Sequence, residues 1–394
     1  MQRKSLQPAF SFRHIKDLYP IFWARGVEMV KMMEREQELK LGSAVDNRLI
    51  RMDSYASRAT LDVIGVAGMD CDFKALQDPD NELSRQYHLL IRDSPLLSKI
   101  LFLIGLLASC SRLTIKVPTK FNREITSASA LIRSVARQMV HRKKEKLEAE
   151  KNASTSLEKT ERGDVDIVSV ALRSGTFSEH NMTDQMMTFL GAGHATSDSS
   201  LQWAVYYLAR YEDIQTRLRD EIRANLPPLS SPQGISAEGV DSLPYLNAVC
   251  NEIFRYRPPG RSTMRVAVRD TMLVGMPIPK GTTIMLSPEL TNRDKSLWGE
   301  DADEFNPDRW MGPGRANTGG ATSNYAMLTF LHGPRSCVGQ GFAKSELACL
   351  LATVVGRFHI EAMDSITEDP EMIKSVTVKP KDGALAKFTP IEGW

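Results

Sequence analysis

Apolar positions recur every three or four residues through most of the chain, which predicts a mainly helical protein. The spacing is helical over residues 20–64 and again over 125–141. Residues 142–164 are rich in Lys, Glu, Ser and Thr and have almost nothing to bury. That composition predicts a solvated helix end and a flexible charged loop. Over residues 183–211, Met186, Met187, Leu190, Leu201, Ala204, Val205 and Leu208 mark one face of a long helix. Gly191-Ala192-Gly193 falls in its middle. Each interior glycine costs about 1 kcal/mol relative to alanine, so an interruption is expected there. Residues 212–226 carry Ile214, Leu218, Ile222 and Leu226 at a four-residue interval. Another helix is expected from Pro244, a favoured first-turn residue, to the stop at Pro258-Pro259. Leu347, Leu350, Leu351, Val354 and Val355 predict a helix over residues 339–358.

The period changes elsewhere. Residues 271–286 hold short strand-like runs broken by Pro277, Pro279 and Gly281. Residues 292–324 are irregular, and 376–388 read as a small hairpin around Asp382-Gly383. There is no internal repeat. The fold class expected is mainly α with small β-sheets (α+β), as a single domain over residues 1–394.

Composition narrows the function classes. Of 394 residues, 42% are hydrophobic and 25% charged, an ordinary globular balance. A net charge of +2 gives no reason to expect nucleic acid as a partner. The seven histidines form no metal-ligand cluster. The five cysteines (Cys71, Cys110, Cys250, Cys337 and Cys349) are odd in number, scattered, and contain no CxxC pair. This argues against a disulfide framework or structural zinc and for a reducing compartment. The most apolar stretch, residues 96–108, is too short to span a bilayer and reads as a buried or interfacial helix.

One cysteine stands in an unusual context: Phe330-Leu331-His332-Gly333-Pro334-Arg335-Ser336-Cys337-Val338-Gly339. Two glycines and a proline place Cys337 on a tight loop with an amphipathic helix directly after it. A helix amino terminus and a nearby Arg335 favour thiolate over thiol. Such a thiolate can bind iron or act as a nucleophile, and a nucleophile usually needs a base. Gly339 leaves room for a flat, bulky ligand to approach the backbone.

This segment resembles the cysteine-ligand loop of the cytochrome P-450 superfamily, with Phe, Gly, Arg, Cys and Gly in the family's order and spacing. Five fixed positions at about one in twenty each would arise by chance on the order of once in ten thousand chains. The resemblance extends further. Glu252 and Arg255 stand three apart on a helix, so their side chains can meet. Phe305-Asn306-Pro307-Asp308-Arg309-Trp310 resembles the segment whose arginine completes a structural charge network with such a pair, which implicates Arg309. Leu190-Gly191-Ala192-Gly193-His194-Ala195-Thr196-Ser197 resembles the family's oxygen-activating helix. There Gly193 would clear space for the haem face and dioxygen, and Thr196 matches the threonine that hydrogen-bonds dioxygen and helps deliver protons. The residue before that threonine is usually an acid; here it is Ala195, with Asp198 one turn on and His194 adjacent.

The resemblance implies a haem-dependent monooxygenase of the eukaryotic microsomal type. Cys337 would be the iron ligand, with Phe330, Gly339 and Gly193 around the cofactor. Arg335, Arg265, His332 and Arg3 are the candidate propionate partners. The substrate would be a small, mainly apolar molecule, contacted near Phe189, Leu190, Gly193, Ser262, Thr263, Val376 and Thr377, in a setting such as secondary metabolism. Electrons would come from NADPH through a cytochrome reductase. The expected location is the cytosolic face of the endoplasmic reticulum membrane, with residues 96–108 touching the membrane surface. An anchor, the first helices, most of the first sheet and a substrate-contacting loop are expected before residue 1, so the sequence reads as N-terminally truncated. Ala195 motivates an alternative, a haem-thiolate isomerase, dehydratase or peroxygenase. The missing front portion motivates another, an inactive remnant.

Overall fold

The computed structural model describes residues 2–42, 46–91, 119–153, 166–363, 371–374 and 376–394. The apolar stretch at 96–108 and Cys110 lie outside the described residues.

The helical period over 20–64 divides into two helices with a strand between them. Helix α1 (Tyr19–Leu39) carries Pro20 in its first turn, where a missing N–H costs nothing. After it the chain turns through Gly42 at φ +82°. It enters strand β1 (Leu49–Arg51) and then helix α2 (Met52–Val63). Helix α3 (Glu82–Ile91) and helix α4 (Lys120–Ala153) follow.

Helix α4 supplies the helix end expected in the charged stretch from residue 142. The charged stretch stays helical through Ala153, because Lys, Glu and Ala are strong helix formers. It is also tethered. Lys143 is buried, and its Nζ lies 2.7 Å from Asp70 Oδ2 and 2.8 Å from Asp166 Oδ2. Residues 154–165 lie outside the described set.

Helix α5 (Ile167–Ser174) leads to helix α6 (Glu179–Leu208), whose Ser178 cap accepts from Asn181 N at 3.2 Å. The expected interruption at Gly191–Gly193 does not occur, and α6 is continuous. The glycines instead allow close packing. A Cβ on Gly193 would sit 2.9 Å from Ile64 at the end of α2. Packing of α6 against α2 offsets the weak local propensity. Helices α7 (Glu212–Asn225), α8 (Pro244–Tyr256) and α9 (Gln340–Arg357) match the periodic runs in the sequence.

The sheets are small and antiparallel. Strands β2 (Thr263–Val266) and β5 (Thr283–Leu286) pair, and between them β3 (Thr271–Leu273) and β4 (Met276–Ile278) form a hairpin. Strand β6 (Phe358–Ala362) joins β1 and β9 (Leu385–Pro390) in a sheet of order β1-β9-β6. Strand β7 (Met372–Lys374) pairs with β8 (Val378–Pro380). The hairpin expected over 376–388 therefore does not close on itself. Gly383, at φ +73°, carries the chain from one sheet into another. Burial decides this pairing: Ala386 and Phe388 on β9 point into the core beside Ile50 and Phe358.

Helices α6 and α9 run through the centre and pack on each other, with α1, α2 and α8 around them. Leu201, Val205 and Leu208 of α6 are buried with Leu347, Leu351 and Val354 of α9. Each such side chain contributes about 1.5–3 kcal/mol on burial. The architecture is mainly α with small β-sheets. Among the described residues, no helix is long and apolar enough to cross a membrane.

Candidate functional site

Cys337 is shaped by its loop before any ligand is considered. Leu331 and Gly333 take positive φ (57° and 75°), which folds the chain back so that Cys337 N donates to Phe330 O at 2.7 Å. A short turn, Gly333–Arg335, sets Ser336 N on Gly333 O at 3.0 Å. Helix α9 begins with Gly339 as its cap, so the sulfur lies just before a helix amino end.

The thiol is pulled in two directions. Desolvation by the surrounding protein pushes its pKa up, while the Gly339 N–H and the Arg3 charge favour the thiolate; burial is the larger effect. This weighs against a self-activated nucleophile. The nearest candidate base, His332, is engaged elsewhere: its Nε2 meets Met327 O at 3.1 Å and its ring packs on Tyr325. A coordinated metal, by contrast, deprotonates a thiol outright.

Cys337, Val338 and Gly339 form one wall of a cavity of about 370 Å³. Ala192, Gly193 and Thr196 of α6 contribute another part of its lining, with Phe189 and Phe330 also among its residues. A Cβ on Gly339 would meet only Phe10 at 3.8 Å and Cys337 Sγ at 4.0 Å, so space beside the sulfur is kept open.

Thr196 Oγ1 donates to Ala192 O at 2.7 Å, which fixes the hydroxyl and leaves its lone pairs available. Neither acid substitute near it faces the cavity. His194 is fully buried against Ser57 (Nε2 to Oγ 2.8 Å) and Tyr87, and burial lowers its pKa to about 3. Asp198 is buried, paired with Lys379, and accepts from Gln202 at 2.6 Å. Ala195 is buried.

The four candidate propionate cations lie outside the cavity lining. Arg335 is exposed and makes no hydrogen bond or ion pair among the described residues. Arg265 is exposed on β2, with Nη1 on Thr263 Oγ1 and Met264 O at 3.1 and 2.9 Å. Arg3 reaches the cysteine loop through Ser336 Oγ at 3.5 Å. Of the positions expected to contact substrate, Phe189 and Gly193 line the cavity, whereas Leu190 turns into the core. Ser262, Thr263, Val376 and Thr377 are not part of its lining.

Glu252 and Arg255 form a fully buried bidentate pair, at 2.8 Å (Nε to Oε2) and 2.7 Å (Nη2 to Oε1). Arg309 Nε reaches Glu252 Oε1 at 3.3 Å, and Trp310 Nε1 and Asn306 N also donate to this carboxylate. Arg255 donates onward to the carbonyls of Asn292, Ala302 and Glu304. Asn292 then takes Leu328 N at 2.7 Å and donates to Thr329 Oγ1 at 2.8 Å. The charge network thereby reaches the residues that lead into the Cys337 loop.

Sequence reasoning missed Glu346. It is fully buried on α9, and Ser197, beside Thr196 in the cavity lining, donates to its Oε2. Its Oε1 has no partner among the described residues, and burial pushes its pKa up to about 8. The signal was a lone carboxylate within the apolar run of α9.

Comparison with known proteins follows this geometry. The cytochrome P450 family model matches residues 1–388. The chain is 53% identical over 395 residues to cytochrome P450 monooxygenase sphH of Aspergillus fumigatus, covering all of this chain and 70% of that protein. It is 36% identical to cytochrome P450 monooxygenase FSL4 of Gibberella zeae, covering all of this chain and 72% of that protein. It is also 36% identical to cytochrome P450 monooxygenase FUM15 of Gibberella moniliformis, covering 99% of this chain and 71% of that protein.

Proposed function

The chain belongs to the cytochrome P450 family, and from that premise we propose that Cys337 binds haem iron in an enzyme that oxidises a small apolar molecule. The class of reaction is that of an oxygen-incorporating oxidoreductase. The observation that carries the reading is Cys337, without a base of its own, on the wall of an apolar cavity that Thr196 also lines. The donor set fits the group: one sulfur, a side-chain-free approach at Gly339, and the cations Arg3 and Arg335 on or next to the loop.

Haem held by the Cys337 sulfur would supply oxygen activation. The chain's own residues do the rest. Phe330 and Val338 supply apolar lining beside Cys337. Gly193 and Ala192 add little side-chain bulk to the lining, and Thr196 contributes a fixed hydroxyl to it. Glu252, Arg255 and Arg309 hold the segment from which the loop emerges. Arg335, Arg3, Arg265 and His332 are the cations offered to the carboxylates of the group.

The lining is dominated by apolar side chains, which supports a mainly apolar substrate such as a secondary-metabolite intermediate. Electrons would be supplied from NADPH through a cytochrome reductase. An endoplasmic-reticulum membrane surface is the proposed setting.

The test is the reduced carbon monoxide complex of the purified, haem-loaded protein. A red-shifted Soret band that disappears in Cys337→Ser is the expected result. Retention of that band in the variant would overturn the ligand assignment. Ala195 favours one second reading, a haem-thiolate isomerase, dehydratase or peroxide user. Consumption of oxygen and NADPH in step with hydroxylated product would rule it out.

A further inference from the structure

We propose a second small-molecule site, on the side of α9 away from the Cys337 cavity, that takes a phosphomonoester with an apolar body and anchors its phosphate on Lys344. It goes beyond the haem reading above and does not depend on it.

The site is a cavity of about 610 Å³, larger than the space of about 370 Å³ beside Cys337. Both volumes fall within the range of about 300–1,000 Å³ usual for small-molecule sites. Helix α9 divides the two. Phe342 and Ala343 line the first, whereas Lys344, Ser345 and Ala348 line the second. The remaining walls come from residues 12–19, the first turns of α8 and the stretch that follows Trp310.

Lys344 gives this cavity its chemistry. Its Nζ is part-buried and donates to one neutral group, Asn251 Oδ1, at 2.9 Å. It makes no ion pair among the described residues. Burial accordingly pushes its pKa down. An ammonium carries three donors, so N–H groups remain open beside the one given to Asn251. A cation withdrawn from water without a counter-charge is costly, and an anion in the cavity removes that cost.

The other charged groups of the lining are already engaged. Lys16 Nζ lies 3.0 Å from Glu238 Oε1. Asp241 accepts from the Tyr19 hydroxyl, which itself accepts from Ser345 Oγ at 2.8 Å. Asp241 repels an anion, so the head of the ligand belongs at Lys344. Ile15, Ala248, Met311 and Ala348 offer apolar lining to its body. A phosphate suits this anchor because lysine binds it as a point charge and needs no paired fork of donors.

Phenyl phosphate, a dianion with a small apolar body, is the probe. Added to the haem-loaded protein, it should raise the unfolding midpoint progressively with concentration. Hydrogen exchange should slow in residues 12–19 and 310–317 and stay unchanged in residues 188–196. The Soret band should not move, because the Cys337 cavity is not entered. Lys344→Gln should weaken binding by about tenfold or more, the value of a hydrogen bond to a charged group. Lys344→Arg should keep most of it. Asn251→Asp, which hands Lys344 a counter-ion of its own, should weaken binding by the same route and leaves the lysine in place. Benzyl alcohol, a similar body without the anion, should give none of these effects. An unresponsive midpoint, binding by both Lys344→Gln and Asn251→Asp as tight as wild type, or slowed exchange at 188–196 instead would each overturn the proposal. Equal protection by benzyl alcohol would overturn it as well.

Discussion

Glu252→Gln keeps the shape of the side chain and removes its charge. The wild-type carboxylate accepts from Arg255 Nε and Nη2 at 2.8 and 2.7 Å. It also accepts from Asn306 N at 2.8 Å, Trp310 Nε1 at 2.9 Å and Arg309 Nε at 3.3 Å. All five donors are protein groups, and Arg255 and Arg309 are both buried. In the variant, Arg309 keeps Asp301, but Arg255 has only backbone carbonyls to compensate its charge. The new amide also turns an N–H₂ toward groups that are themselves donors. Removing one partner of a buried pair costs about 3–5 kcal/mol, a large share of a total stability of about 5–15 kcal/mol. Trp310→Phe is the control, since it removes a single hydrogen bond to the charged group, worth about 1.5–3 kcal/mol. Urea unfolding followed by far-ultraviolet circular dichroism gives both numbers, and added salt should leave the difference unchanged because the pair is shielded from water. The reasoning fails if Glu252→Gln costs less than about 1 kcal/mol, the value of an exposed pair.

Other outcomes follow from the same coordinates. Gly193→Ala places a Cβ 2.9 Å from Ile64. Overpacking costs about 1–3 kcal/mol against about 1 kcal/mol of helix preference gained, so a net loss is expected in thermal unfolding, and Ile64→Ala should recover it. Thr196→Ala removes a hydroxyl already satisfied by Ala192 O; its unfolding midpoint should change little, while peroxide released per NADPH rises, and unchanged peroxide would refute a role in the cavity. Glu346 has a folded pKa of about 8 against an ordinary value of 4.5. The folded state therefore holds the extra proton between those values, and stability falls with rising pH across that window by at most about 1.4 kcal/mol per unit. Glu346→Gln should flatten that slope in pH-dependent unfolding, and a slope identical to wild type would contradict the burial of a neutral acid.

Periodicity found the helices because one face of each must be buried, and that demand is written locally in the sequence. It placed α6, α7, α8 and α9 to within a few residues. It failed where a local preference was outweighed by packing. Gly191–Gly193 remained helical, with Ile64 packed into the space that Gly193 leaves. In the charged stretch after residue 142, read as solvated, Lys143 is drawn inward by Asp70 and Asp166. The strand after Gly383, β9, found its partners in β6 and in the distant β1, while β8 before it paired with β7; no local pattern encodes that choice.

The site divides along the same line. The sequence alone determined Cys337 and its loop, Thr196, and the spacing of Glu252 with Arg255. These lie in short segments whose residue types and intervals are their own evidence. Tertiary structure decided the rest. It set Arg309, Trp310 and Asn306 on one carboxylate, turned His194 and Asp198 away from the cavity, and brought Glu346 to Ser197. Those relations join residues up to 181 positions apart. They exist because two apolar helix faces must exclude water together, and the polar groups caught between them must then find each other.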